Sequence, residues 1–176
     1  MNEIVKKNGI TYGIITGILS ILITTLIYII DLKLFTSLWL GFSTIAMYII
    51  IGVILLSKTR KELKGVLTFK EAFTTYFISA VIAILISVVF NIVLFNFIDP
   101  SAKATIKELT MKYTVEMLQK FNTPASAINE TIKSLEENDQ FSISKLLQGS
   151  IFSIIVSAIF GLILAAFFKT KSSFPQ

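Results

Sequence analysis

The stretch AFTTYFISAVIAILISVVFNIVLFNFI, residues 72–98, contains no charged side chain and no proline. A bilayer core about 30 Å thick is crossed by about 20 helical residues, each rising ~1.5 Å. Residues 72–98 exceed that length, and a helix keeps every backbone hydrogen bond within the segment, as lipid requires. Working outward, three more uncharged runs appear: residues 9–30, 34–56 and 146–168. In the first, twelve residues are Ile or Leu. On the insertion scale these contribute about −6 kcal/mol, whereas one central Lys would cost about +3. The alternating ten-residue segments of a spanning barrel are not seen.

Composition agrees. Of 176 residues, 54% are hydrophobic and 15% charged, and mean hydropathy is +0.79. A chain of this size still leaves roughly 30% of its unfolded surface in water, too little core to hide so much apolar mass. The expectation is one all-α integral membrane domain over residues 1–176, a four-helix transmembrane bundle. An extracytoplasmic helical hairpin, residues 99–145, falls between spans three and four. Lys6 and Lys7 resemble the start of a signal peptide, but the run that follows is too long and Asp31-Leu32-Lys33 gives no cleavage site, so the first span is read as retained.

The chain has no His and no Cys. That excludes Ser-His-Asp and Cys-His nucleophile pairs and the usual zinc, haem and iron–sulfur ligands. Ser144 and Lys145 are adjacent, so on a helix they do not face each other. The acids Glu136, Glu137 and Asp139 lack the order of a calcium loop. We therefore expect no enzyme, no cofactor and no metal. A net charge of +5 raises nucleic acid as a partner, but the basic residues flank the apolar runs, where they set membrane orientation.

With a cytoplasmic N-terminus, the inner segments hold nine basic residues (Lys6, Lys7, Lys58, Arg60, Lys61, Lys64, Lys70, Lys169, Lys171) against three acids. The outer segments hold seven against eight. The positive-inside rule then places both termini in the cytoplasm, and Lys58, Arg60, Lys61, Lys64 and Lys70 form a cytoplasmic basic loop that meets anionic lipid. Aromatic residues mark the boundaries: Tyr12, Phe69, Phe73, Tyr76, Phe167 and Phe168 inside, Tyr28, Trp39, Phe95 and Phe97 outside.

Helices in lipid associate through small residues. Gly9, Gly13 and Gly17 recur every fourth position in span one, and Thr75, Ser79, Ala83, Ser87 and Asn91 in span three. Span four carries Ser153, Ser157, Gly161 and Ala165. Contact within the chain is the expected use, and a second copy meeting the Gly9–Gly17 face is the alternative. Asn91, deep in its span, is expected to bridge two helices. No acid or base lies within a span, which argues against a proton relay or coupled transporter.

In the outer segment, Pro100 opens a helix with Ile106, Leu109, Tyr113, Met117 and Phe121 on one face. Thr123 is expected to cap a second, with Pro124 at its first position and Ile128, Ile132 and Leu135 on its apolar face.

These residues resemble a family. The chain has a Lys-x-x-Gly-x-x-x-Gly start (Lys6, Gly9, Gly13) and Thr68-Phe69-Lys70-Glu71-Ala72-Phe73 entering span three. Phe97-Ile98-Asp99-Pro100 leaves that span, a Lys/Glu-rich helical insertion follows, and Lys169 closes the last span. This is similar to the bacterial membrane-protein family catalogued as domain of unknown function 4199. The resemblance implies a multi-pass bacterial protein with four spans and brings no established activity. The functional expectation is a non-enzymatic binding or scaffold protein of the bacterial inner membrane. Its partners are the lipid bilayer and an envelope protein on residues 100–140, with a homo-oligomer also open and no nucleic acid. The alternative is a small oligomeric transporter or channel for an uncharged or small solute.

Overall fold

The computed structural model describes residues 2–170. Four helices are long and apolar enough to cross a membrane. These are α1 (Glu3–Ile30), α2 (Leu38–Glu62), α3 (Phe69–Val93, continued by a π turn Leu94–Ile98) and α6 (Ile143–Phe168). Two shorter helices, α4 (Pro100–Lys120) and α5 (Ala125–Glu137), form the hairpin between the third and fourth spans. The chain is an all-α, multi-pass membrane protein.

Short-range chemistry sets the helix ends. Asn2 caps α1 through the Ile4 amide. Thr68 and Glu71 form a reciprocal capping box at α3, which satisfies two otherwise orphaned amides. Asp99 caps α4 by accepting from the Ser101 and Ala102 amides, with Pro100 at the first position as its fixed φ favours. The α5 expectation shifts by one residue: Pro124 itself takes the cap position, without a side-chain bond, and α5 begins at Ala125.

Close packing runs α1 on α3 and α3 on α6. A Cβ added to Gly9 would lie 3.0 Å from Ile78 Cβ; at Gly13 and Gly17 it would lie 2.8 Å from Ile82 Cβ and Ile86 Cβ. The three glycines thus admit three isoleucines of α3, as small-residue helix contacts require. This face meets α3 within the chain.

At one end of the bundle the N-terminus of α1, the α2–α3 turn and the C-terminal end of α6 meet. The Asn8 amide donates to Thr59 Oγ1 (3.2 Å) and Glu62 Oε2 (2.8 Å), joining α1 to α2. Thr170 grips the turn, its amide donating to Leu67 O at 2.8 Å and its hydroxyl to Gly65 O at 2.9 Å. Lys64 (φ 54°) takes the left-handed position that closes α2, and the next residue, Gly65 (φ +87°), donates its amide to Arg60 O at 2.9 Å.

The expected basic loop is largely helical. Lys58, Arg60 and Lys61 ride the last turns of α2, where cations complement the helix dipole. Lys70 lies in the first turn of α3, and of the five only Lys64 lies in the turn itself. Lys58 also sits 5.4 Å above the Tyr12 ring. Lys171 falls outside the described residues.

At the opposite end, α4 lies on the bundle rim. Ala102 and Ile106 are buried with Leu94 and Phe95 against Phe35, Phe90 and Phe141. Phe95 therefore fills the rim core rather than marking a lipid boundary as expected. The α5 helix has no buried residue; its apolar residues Ile128, Ile132 and Leu135 are only half-buried.

Candidate functional site

A cleft of about 550 Å³ lies between α1, α2, α3 and α6, within the range usual for small-ligand sites. Its walls combine Ile, Val, Ala, Leu and Phe with as many polar residues, most of them hydroxyl-bearing. Thr16 and Ser20 come from α1, Tyr48 from α2, Ser79 and Ser87 from α3, and Ser150, Ser153 and Ser157 from α6.

Each position follows from helix periodicity. Ser79, Ala83 and Ser87 recur every fourth residue, so they share one stripe of α3. The neighbouring stripe, Ile78, Ile82 and Ile86, is taken up by the α1 glycines. On α6, Gly149 and Ser153 lie one turn apart on the cleft face. A Cβ added to Gly149 meets nothing within 4 Å.

Several hydroxyls are held by neighbours. The Ser20 hydroxyl donates to Thr16 O at 3.0 Å and stands 2.8 Å from the Tyr48 hydroxyl, linking α1 to α2. The Ser150 hydroxyl donates to Leu147 O at 2.7 Å. Back-bonding of this kind lets a helix carry Ser through an apolar region. Thr16 Oγ1 is different: it is buried in the cleft wall without a partner among the described residues.

The cleft is closed at one end by Tyr76. A Cβ added to Gly52 of α2 or to Gly161 of α6 would lie 2.8 Å from the Tyr76 ring. The ring is thus wedged between two helices by glycines on both sides. Tyr76 was expected at the inner lipid boundary; it instead sits inside the bundle. At the other end Gln140 and Lys145, both exposed, stand at the mouth below the hairpin.

The hairpin end is fixed by polar contacts. The Asn96 amide donates to Phe141 O at 3.0 Å, and the Lys103 ammonium reaches Asn96 Oδ1 (3.3 Å) and Asp139 Oδ2 (3.1 Å). Lys107 donates to the Glu136 carbonyl. Bonds from the Ser101 hydroxyl, then Tyr28, then the Ala102 amide, hold the Asp99 carboxyl below the usual carboxylate range.

Of the small and polar residues singled out from the sequence, Ser79, Ala83, Ser87, Ser153 and Ser157 line the cleft. Gly9, Gly13 and Gly17 form the α1–α3 contact, and Gly161 seats Tyr76. Ala165 is buried at the terminal end with Leu56, Leu67 and Ala72. Asn91 corrects the expectation of an interhelical bridge: its amide donates to Ser87 O of its own helix at 2.7 Å. Asn8 and Asn96 make such links instead, at the two ends of the bundle. Sequence reasoning missed Tyr48, Tyr76, Lys145 and Gly149 as cleft residues. No local signal marks Tyr76, because its glycine neighbours Gly52 and Gly161 lie on other spans.

The family model for "Protein of unknown function (DUF4199)" matches residues 11–170. No curated protein and no solved structure matches the chain. The chain belongs to the DUF4199 family.

Proposed function

We propose that this DUF4199 protein is a non-enzymatic binding protein of a bacterial inner membrane, with the α1/α2/α3/α6 cleft as its binding element. The observation that carries this reading is the cleft itself: apolar over most of its surface, set with hydroxyls and ending at Tyr76 between Gly52 and Gly161. Such a shape holds a ligand rather than passing one. In this reading both termini are cytoplasmic and the hairpin faces outward, on the support of the Lys/Arg asymmetry. The bacterial source is supported by composition, since fifteen of the sixteen basic residues are Lys.

The chain's lack of Cys makes a direct test available. A single Ser153→Cys in proteoliposomes should react with a membrane-partitioning maleimide, and adding Gly149→Leu should suppress the reaction at least several-fold. Equal labelling with and without the added leucine would refute the cleft as an accessible site.

A second reading, a small-solute transporter or channel, is favoured by the hydroxyls facing one space on four helices. It requires Tyr76 to move aside, and a measurable solute leak through the native protein would establish it. A protein partner on residues 100–140 is supported by Phe121, 77% exposed at the hairpin tip. Loss of a captured partner in Phe121→Ser would support that surface.

A further inference from the structure

The cleft opens sideways. Ile45 of α2 and Phe152 of α6 both line it, yet they are 49% and 68% exposed. A residue that lines a cavity and is also exposed stands at its edge, so the slot opens between α2 and α6. That opening lies on spanning helices, where the surrounding medium is acyl chain.

The slot is long. From Leu146 to Phe160 along α6 it covers about 21 Å at ~1.5 Å per residue, more than half of an about 30 Å hydrocarbon core. It ends at Tyr76, held by Gly52 and Gly161. Its serines occupy helical positions, where Ser150 and Ser20 show that the hydroxyl can turn back to backbone carbonyls. The Tyr48 hydroxyl is held by Ser20, Thr16 Oγ1 has no partner among the described residues, and the rest of the wall between the mouth and Tyr76 is Ile, Val, Ala, Leu, Gly and Phe.

The mouth carries one charge. Lys145 is exposed, and no carboxylate is among the cleft residues. The adjacent acid, Asp139, is engaged by Lys103 at 3.1 Å and by the Phe141 amide at 3.0 Å. Among the described residues Lys145 takes part in neither ion pair. A long apolar slot, entered from the side and topped by one uncompensated cation, matches an anionic head with an acyl tail.

We infer that the cleft takes one acyl chain of an anionic phospholipid from the leaflet at the hairpin end, with the headgroup phosphate at Lys145. This rests on the cleft being the binding element.

The test uses the full chain in mild detergent. Native mass spectrometry follows retention of phosphatidylglycerol and phosphatidylcholine carrying the same acyl chains. One phosphatidylglycerol per chain should be retained, preferred about fivefold, the ratio one cation at a membrane surface supports. Lys145→Gln should bring the two lipids to parity while phosphatidylcholine retention stays unchanged. Gly149→Leu should lose both. Gly41→Leu, also at a glycine with nothing within 4 Å of its Cβ but away from the cleft, should lose neither.

Inorganic phosphate should not displace the lipid, since it has no chain to occupy the slot. Displacement by phosphate, a preference that survives Lys145→Gln, or wild-type retention in Gly149→Leu would each overturn the inference. Failure of the Ser153→Cys labelling would remove the binding element itself. Normal labelling without phospholipid retention would overturn only the ligand class.

Discussion

The Tyr28 hydroxyl donates to Asp99 Oδ2 at 2.8 Å, joining the last turns of α1 to the residue that caps α4. The hairpin is thereby fastened to the first span through its own helix cap. The Asp99 carboxyl is held low, and the sign follows from linkage. A depressed folded value stabilises above the unfolded value, ~3.9, and is lost as pH falls through the folded one. Protection of the Ser101 and Ala102 amides, corrected for the intrinsic pH dependence of exchange, should therefore hold at neutral pH and be lost as pH falls from the unfolded value toward the lower folded one. Tyr28→Phe should move that onset upward. An onset unchanged by Tyr28→Phe would dissociate the hydroxyl from the cap.

Gly13→Leu should disrupt the α1–α3 contact, because even a Cβ there comes within 2.9 Å of the Ser79 carbonyl, which cannot swing away. Overpacking costs about 1–3 kcal/mol in well-packed cores. A lower melting temperature in detergent is expected for Gly13→Leu but not for Gly41→Leu. Equal melting of the two would contradict the packing.

Asn8→Ala should weaken the terminal end, since it strips Thr59 Oγ1 and Glu62 of a shared donor. Thr59 is fully buried, so a loss of about 1–2 kcal/mol is expected. Asn91→Ala should cost less, because that amide bonds only within its own helix. Ranking the two by thermal melting tests the assignment directly.

Tyr76→Ala should open the blind end between Gly52 and Gly161. Removing a large buried aromatic costs roughly 3–5 kcal/mol in cores, so folding must be confirmed alongside. Proteoliposomes of the native protein should stay tight to small solutes, whereas those of folded Tyr76→Ala should leak. A native leak equal to the variant's would favour the channel reading instead.

The spans were legible because lipid imposes one strict rule, an uncharged helix of sufficient length. The Gly9, Gly13 and Gly17 contact was legible as a spacing, though only coordinates give Ile78, Ile82 and Ile86 as its partners. The cleft was not legible, because it is a space between helices and depends on their rotations. Tyr76 illustrates the difficulty. Its aromatic ring near a span end reads as a boundary residue, and nothing local reveals Gly52 and Gly161 beside it. Asn91 failed in the opposite way: a polar residue deep in a span was expected to reach outward, yet its nearest acceptor, Ser87 O, lies one turn back. The basic residues of α2 were expected in a loop because charge was used to end the span, whereas the helix runs on to Glu62.

The central claim is that the cleft is a membrane-accessible seat for an apolar tail. It is tested most directly by photo-crosslinking with a phosphatidylglycerol whose acyl chain carries a diazirine, followed by peptide mapping. Adducts should concentrate on residues 145–160 and 45–52 and vanish from both in Gly149→Leu. Adducts spread evenly over the outward faces of all four spans, and unchanged in Gly149→Leu, would contradict it.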